Sequence, residues 1–128
     1  MTKQPNIILI TLDAVRADHV GICGGAYKDK EGKSLTPFLD SLAPNAKIFT
    51  QACSTGPFTS ASYPSILGGV FPLDYSTFSR FPEPSPALAQ ILQEHGYHTS
   101  AFHTNTWVSR FFGYEKGFTT FEDFMEFS

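Results

Sequence analysis

An acidic residue follows a strand-like run near the start of the chain. Residues 6–12 read Asn-Ile-Ile-Leu-Ile-Thr-Leu, and Asp13 comes next. A continuous β-branched apolar run predicts a central parallel strand buried on both faces, and α/β folds carry functional groups at the carboxyl ends of such strands. A buried carboxylate needs a counter-charge, which a divalent metal ion or Arg16 could supply. The alternative role for Asp13 is to cap a following helix.

Hydroxyl side chains are concentrated in a second segment, residues 54–65. Thr59 lies just before a predicted helix start, where a hydroxyl usually acts as the N-cap. The same hydroxyl is a candidate nucleophile if a metal ion activates it and the helix amino terminus stabilises the anion that it attacks. On composition alone, the structural role is favoured. Other hydroxyls compete for either role: Ser54, Thr55, Ser60 and Ser62.

Strand and helix patterns alternate along the chain. The predicted strands span residues 6–12, 46–52 and 97–103. Strand, helix, strand, helix, strand is the order of a doubly wound α/β layer. We therefore predict an α/β fold with a parallel sheet and helices on both faces. The fold should be incomplete, because three short strands make a narrow sheet.

Capping signals place the helices between these strands. Thr36-Pro37 opens a helix with Thr36 as N-cap and Pro37 at the first helical position, and Pro44-Asn45 ends it. A second helix over residues 87–95 stops at Gly96. The remaining predictions are a short helix ending at residues 65–69, another over residues 105–112, and exposed loops over residues 21–34 and 71–86.

Composition disfavours several classes of protein. The chain has 128 residues, 41% of them hydrophobic, which is enough for one compact core. A net charge of -3 without a basic patch argues against a nucleic-acid partner. The longest apolar run falls far short of the roughly 20 residues that span a bilayer, and the amino terminus has no secretory cleavage site. Cys23 and Cys53 are not in metal-ligand spacing. We therefore expect a soluble, cytoplasmic protein without nucleic-acid or membrane partners.

Five segments, in order, resemble the amino-terminal part of the sulfatase family, which belongs to the alkaline-phosphatase superfamily. The segments are Pro5 to His19, Thr36 to Asp40, Thr59 to Pro72, Gly96 to Phe102 and Gly113 to Phe118. They cover nearly the whole chain. The resemblance implies an alkaline-phosphatase-like fold, with residues 1–128 as the amino-terminal part of a sulfatase-like catalytic domain.

The resemblance also implies roles for individual residues. Asp13 corresponds to the metal-binding Asp after the first strand, and Thr59 falls at the nucleophile position, where its oxygen also meets the metal. Arg16 or His103 is implied to steady a non-bridging oxygen, although an Arg just past a strand is more often in a surface ion pair. The catalytic assignments are therefore Thr59 and Arg16, and the metal ligands are Asp13 and Thr59. The cofactor that the resemblance implies is a divalent metal (Ca, Zn, Mg or Mn), and the implied substrate is a small-molecule sulfate or phosphate ester.

The chain departs from the family pattern at the nucleophile. Sulfatases have a Cys or Ser that is converted to formylglycine, in the pattern Cys-x-Pro-x-Arg. Here the stretch is Thr59-Ser-Ala-Ser-Tyr63, and Cys53 lacks the Pro and Arg at the needed spacing. Ala14 replaces a second Asp found in many sulfatases. A Thr nucleophile resembles the superfamily's phosphodiesterases and phosphoglycerol transferases, so these departures favour phosphoryl over sulfuryl transfer.

Other parts of the superfamily's metal site are not found in this sequence. The superfamily completes that site with an Asp-His or Asp-Asn pair, and neither dipeptide follows Thr59. We therefore expect an amino-terminal fragment of a hydrolase that is inactive alone. A non-catalytic α/β module, binding an anion or a partner through an exposed sheet edge, is an alternative, and a homo-oligomer could form through the same edge. A nucleotide-binding protein is disfavoured, because no Gly-rich phosphate loop follows the first strand.

Overall fold

The computed structural model describes residues 4–71, 74 and 80–124. The chain divides into two compact units, Met1–Ala52 and Cys53–Ser128. Every buried hydrophobic side chain of the described part lies in the carboxyl-terminal unit. These side chains are Ala61, Phe81, Ala87, Ala89, Val108, Tyr114 and Phe121, together with Pro64 and Pro82. No helix in the described ranges is long and apolar enough to cross a membrane.

The amino-terminal unit consists of turns around one short helix, α1. This helix spans Pro37–Leu42, and 3-10 turns cover Ala17–His19, Gly21–Cys23 and Ala43–Asn45. An isolated antiparallel bridge joins Lys28 to Ser34 within a mostly exposed segment, which confirms the exposed loop predicted over residues 21–34.

The helix α1 begins as the sequence predicts. Thr36 is the N-cap residue and Pro37 occupies the first turn. The Thr36 hydroxyl, however, does not cap the helix. It accepts a hydrogen bond from Gly21 N at 2.9 Å and donates to Asp40 Oδ1 at 3.3 Å. Thr36 therefore ties the preceding loop to the first turn of α1.

Two predicted strands are not strands in this structure. Residues 6–12 and 46–52 belong to no sheet. Their apolar side chains face solvent, with Ile8 82% and Ile10 75% exposed. A parallel strand forms only where a neighbour completes its backbone hydrogen bonds. The described residues provide no neighbouring strand for either segment, so the β-branched pattern alone does not produce a strand.

The carboxyl-terminal unit contains helices and a small parallel sheet. Its elements are α2 (Thr59–Gly68), α3 (Leu88–Glu94), β1 (Ser100–His103) and β2 (Thr120–Asp123). The two strands pair in parallel, in a register that runs from Ser100 with Thr120 to His103 with Asp123. The parallel sheet and the strand predicted over residues 97–103 are thus confirmed, the strand with shorter bounds. The sequence did not predict β2.

The helix α2 begins earlier than predicted. Phe58 is its N-cap residue and Thr59 is its first residue, so Thr59 does not hold the N-cap position. The helix ends before Gly69, whose φ of 65° is the left-handed conformation of a helix stop. The predicted end of this helix is therefore confirmed, and the predicted start was too late.

Local signals place α3 within about one residue of the prediction. Ala87 is the N-cap residue, and its N–H donates to Gln90 Oε1 at 3.0 Å. Gly96 has φ 83° and follows the helix as predicted. The helix predicted over residues 105–112 is instead two 3-10 turns, Thr106–Val108 and Arg110–Phe112, because the backbone at Ser109 is extended.

The core of the carboxyl-terminal unit is aromatic. Phe81 and Tyr114 meet edge to face with ring centroids 5.5 Å apart, a favourable arrangement of two quadrupoles. Phe81 belongs to the segment predicted as a surface loop, and that prediction is wrong for Phe81. Its N–H donates to Phe112 O at 2.8 Å, which holds the ring against the core. Within this predicted loop, residues 72, 73 and 75–79 lie outside the described part of the chain.

We predict that Gly117→Ala destabilises the protein more than Gly96→Ala does. Both glycines have a left-handed φ, 81° and 83°, so alanine costs about 1–2 kcal/mol of backbone strain at either position. A Cβ at Gly117 would lie 2.2 Å from Gln90 N, whereas nothing lies within 4 Å of a Cβ at Gly96. Overpacking adds about 1–3 kcal/mol. Urea unfolding of both variants measures the difference, and equal losses would contradict the packing argument.

Candidate functional site

Asp13 lies in a tight turn of the amino-terminal unit. The residue is exposed, and Ala14 after it has φ 57°. A non-glycine residue in the left-handed region costs roughly 1–2 kcal/mol, and such residues cluster at functional sites. The unusual backbone of this turn therefore makes Asp13 a candidate functional residue. Because residues 6–12 are not a strand, however, the structure does not place Asp13 at the end of a sheet.

Arg16 forms an exposed ion pair with Asp18. Its Nη2 is 2.5 Å from Oδ2 and its Nε is 3.0 Å from Oδ1, the two-bond geometry typical of guanidinium and carboxylate. The Arg16 side chain is 71% exposed. Hydrogen bonds from Arg16, and secondly from His19, hold the pKa of Asp18 well below its ordinary value. The surface ion pair that the sequence offered as the alternative role of Arg16 is thus present.

Thr59 is half-buried at the start of α2, in the carboxyl-terminal unit. The first N–H groups of a helix have no intrahelical partner and carry partial positive charge. Three competing hydroxyls take part in local hydrogen bonds: Ser54 Oγ donates to Gly56 O (2.7 Å), Thr55 Oγ1 to Ser65 Oγ (2.7 Å), and Ser62 Oγ to Phe58 O (3.2 Å). A fourth, Ser60, is buried. The assignment of Thr59 as the nucleophile of this segment stays a prediction.

Tyr63 occupies the position where the sulfatase pattern has an arginine. It lies on α2, partly buried, and packs against the aromatic core. Its ring meets that of Tyr114 edge to face at 6.3 Å. This position therefore contributes to packing in this chain, and it brings no positive charge to the segment that contains Thr59.

A histidine and an aspartate end the two parallel strands. His103 is the last residue of β1, Asp123 is the last residue of β2, and the register pairs them. Their side chains are 12% and 15% exposed, and His103 Nδ1 lies 3.9 Å from Asp123 Oδ1. The carboxyl ends of parallel strands carry functional groups in α/β proteins. The sequence indicated His103 but not Asp123, because nothing in the sequence pattern predicted β2.

Known proteins resemble this chain along most of its length. A family model described as Sulfatase matches residues 5–128. This chain belongs to the sulfatase family. It is 33% identical, over 100 residues, to an ulvan-active sulfatase of Formosa agariphila. That alignment covers 76% of this chain and 18% of the relative, so the chain spans less than a fifth of the length of this curated relative. No solved structure matches the chain.

Membership of the sulfatase family implies an α/β fold and, in general, a divalent metal ion. The described residues do not fit such an ion by themselves. Among them, no group of three or more His, Cys, Asp or Glu side chains could hold a metal. Carboxylate and hydroxyl oxygens are suitable donors, but Ca²⁺ takes about 6–8 of them and Mg²⁺ about six. Asp13 and Thr59, the two metal ligands that the sequence predicts, are too few oxygen donors for either ion.

We predict that Arg16→Gln raises the pKa of Asp18 toward its ordinary value of 3.8. Arg16 favours the charged carboxylate, so the ion pair contributes stability above that value and loses it as pH falls through the lowered pKa. The contribution is small, because the pair is exposed. Carboxyl-carbon NMR during acid titration measures the midpoint. Lys33→Gln, which removes the cation of another exposed pair in this unit, should leave the Asp18 midpoint unchanged. An unchanged midpoint in Arg16→Gln would contradict the assignment.

Proposed function

We propose that this chain supplies the amino-terminal part of the catalytic domain of a metal-dependent hydrolase that cleaves sulfate or phosphate esters. The observation that carries the proposal is the sulfatase family match over residues 5–128. In the proposed domain, β1 and β2 are one parallel pair of a larger sheet with helices on both faces. A sulfatase relative that is active on ulvan makes ulvan one candidate substrate.

Thr59 is the proposed nucleophile. Its hydroxyl oxygen attacks sulfur or phosphorus in line, the bond to the leaving alcohol breaks, and the alcohol oxygen takes up a proton. Water then hydrolyses the ester on Thr59, which releases sulfate or phosphate and restores the hydroxyl. The position of Thr59 supports this role, because the amino terminus of a ten-residue helix favours the negative charge of the bound ester.

Three other residues have proposed roles around this step. Asp13 is proposed as a metal ligand together with the Thr59 oxygen, supported by the unusual backbone of the Asp13 turn. Arg16 is proposed to steady a non-bridging oxygen, which requires its guanidinium to leave Asp18. His103 is the second candidate for that contact, since it ends a parallel strand.

A phosphodiesterase or phosphoglycerol transferase is the second candidate within enzymes. The sequence Thr59-Ser-Ala-Ser-Tyr63 favours it, because Thr replaces the residue that sulfatases convert to formylglycine. The packing of Tyr63 in the core adds to this argument. At the position where the family pattern has an arginine, this chain has an aromatic side chain without positive charge.

A non-catalytic binding module is the candidate from a different class. Two observations favour it: the described sheet has only two strands, and the apolar side chains of residues 7–12 are exposed. Unpaired strand edges and exposed apolar segments promote association between chains. In this case the chain would form homo-oligomers or bind a partner without turning over an ester.

We predict that Thr59→Ala abolishes ester hydrolysis in the protein isolated from its native source. Removing a nucleophile typically costs at least about a thousandfold in kcat. Ser62→Ala should retain activity, because the Ser62 hydroxyl donates to the carbonyl oxygen of Phe58, the N-cap residue of the same helix. Release of 4-nitrophenol from its sulfate and phosphate esters is the assay, and the ratio of the two rates identifies the preferred ester. The 128-residue chain alone should be inactive.

Wild-type protein without activity on either ester would overturn the hydrolase proposal. Full activity in Thr59→Ala would instead leave the hydrolase in place and remove Thr59 as its nucleophile. A phosphorylated or sulfated Thr59 peptide, found by mass spectrometry after rapid quenching, would identify the covalent ester directly.

We predict that Asp13→Ala weakens divalent-metal binding by about tenfold or more. Calorimetric titration of the protein isolated from its native source, and of its variants, with Ca²⁺, Mg²⁺, Mn²⁺ and Zn²⁺ measures it. Glu31→Ala is the control, since Glu31 is an exposed carboxylate of the same unit paired with Lys33. Metal affinity that survives Asp13→Ala would count against Asp13 as a ligand. Self-association that does not depend on metal, measured by light scattering, would favour the binding module.

A further inference from the structure

His103 has both ring nitrogens inside the protein. Neither nitrogen has a hydrogen-bond partner among the described residues, and each is almost completely shielded from solvent. A buried polar group without a partner costs roughly 1–3 kcal/mol, and native proteins rarely leave one without a functional reason. The arrangement around His103 therefore requires an explanation.

The buried face of the sheet brings Asp123 to His103. In β1 the half-buried residues are Ala101 and His103, and in β2 the less exposed side chains on the same face are Phe121 and Asp123. His103 and Asp123 are directly opposite each other in the ladder. Beyond this pair, Phe124 N donates to His103 O at 3.0 Å, which fixes the end of the sheet.

The distance between the two side chains is close to that of a hydrogen bond. His103 Nδ1 lies 3.9 Å from Asp123 Oδ1, about 1 Å beyond the usual N–H···O distance. Hydrogen bonds in functional sites are often long before a ligand binds and become shorter in the complex.

Neighbouring groups restrict how the imidazole can move. The Phe121 ring lies 4.7 Å from the His103 ring. Arg110, from the 3-10 turn that packs beside β2, lies over the same phenyl ring at 5.2 Å and donates from Nη2 to Phe121 O at 2.6 Å. Arg110 is thus held by its contacts with Phe121. The carboxylate that faces His103 Nδ1 is that of Asp123.

We propose that Asp123 is a positioning residue for His103. Its carboxylate accepts a hydrogen bond from Nδ1–H and holds the neutral ring in the Nδ1-protonated form. The lone pair of Nε2 is then the group that takes a proton. Once Nε2 is protonated, Asp123 balances the positive charge. Nε2–H can donate to an oxygen of a sulfate or phosphate group, which requires a movement that exposes the buried Nε2. The contact with an anion rests on the proposed function. The placement of the proton on Nδ1 of the neutral ring does not.

Nitrogen NMR of the histidine side chains in the 128-residue chain tests the proposal. Ring ¹⁵N shifts report which nitrogen carries the proton, and His103→Gln identifies the signal among the four histidines. We expect Nδ1–H in the wild type. In Asp123→Asn the amide N–H can donate to Nδ1, so the ring should switch to Nε2–H. Wild-type His103 in the Nε2–H form, or Asp123→Asn without a switch, overturns the proposal.

Two further variants are controls that distinguish this result from a general structural effect of the substitution. Glu122→Gln alters the neighbouring residue, which is exposed on the opposite face of β2, and it should leave the His103 signals unchanged. Asp123→Glu retains a carboxylate and should retain Nδ1–H. If Asp123→Asn does not fold, the wild type and Asp123→Glu still decide the proposal, because Nε2–H in either contradicts it.

Titration with inorganic sulfate and inorganic phosphate separates this inference from the proposed function. We expect at least one anion to shift the Nε2 signal of the wild type, and the shift to be lost in Asp123→Asn. If neither anion shifts a ring that is protonated at Nδ1, the positioning role of Asp123 stands and the proposed contact of His103 with substrate fails. A shift that is equal in both proteins overturns the positioning role.

Discussion

The parallel pairing of β1 with β2 depends on the hydrogen bonds of Thr99, the residue just before β1. Its hydroxyl donates to Gly117 O at 2.7 Å, and its hydroxyl and carbonyl oxygens both accept from Thr119 N, at 3.1 and 2.8 Å. Thr99 is 6% exposed. Loss of these bonds would leave buried polar groups without partners, at about 1–3 kcal/mol each. One threonine thus fixes the point at which the chain re-enters the sheet and, with it, the strand register.

The segment before β2 also joins the sheet to the rest of the carboxyl-terminal unit. Gly117 lies so close to Gln90 N that only a residue without a Cβ fits. Beside it, Lys116 Nζ contacts Glu83 Oε1 at 2.8 Å and Ser85 O at 3.2 Å. Because Glu83 is exposed, that ion pair contributes little energy, and the close approach at Gly117 is the stronger constraint. With the register fixed in this way, β1 and β2 end at the same edge, which brings His103 and Asp123 together.

The sequence predicted those elements that depend on local signals. The start of α1 at Thr36-Pro37 and the end of α3 at Gly96 depend on backbone conformation and capping, which are set within a few residues. The prediction of strands over residues 6–12 and 46–52 was wrong for the opposite reason. A strand depends on a partner that can be far away in sequence, and β-branched residues indicate only a preference for the conformation.

The contrast between local signals and partners that are distant in sequence also explains which residues of the candidate site could be predicted. Thr59 could be identified as a helix-start hydroxyl, because that context is local. Asp123 could not, because its pairing with His103 exists only through the strand register. Phe81 was missed because prolines around it indicate a loop, whereas its burial depends on Phe112 and Tyr114 from later in the chain.

The residues at positions 59 and 63 together constrain the chemistry proposed for this chain. An ester bound to Thr59 carries negative charge, and Tyr63 cannot balance it. The amino terminus of α2 contributes about 0.3–1 kcal/mol for a charge near it, well below the roughly 3–4 kcal/mol lost when one donor to a transition-state oxyanion is removed. Catalysis at Thr59 therefore needs further cationic groups. The general use of divalent metal ions by sulfatases meets that need. In the proposed mechanism, Thr59 in place of the convertible residue changes the nucleophile and leaves the requirement for a cation beside it.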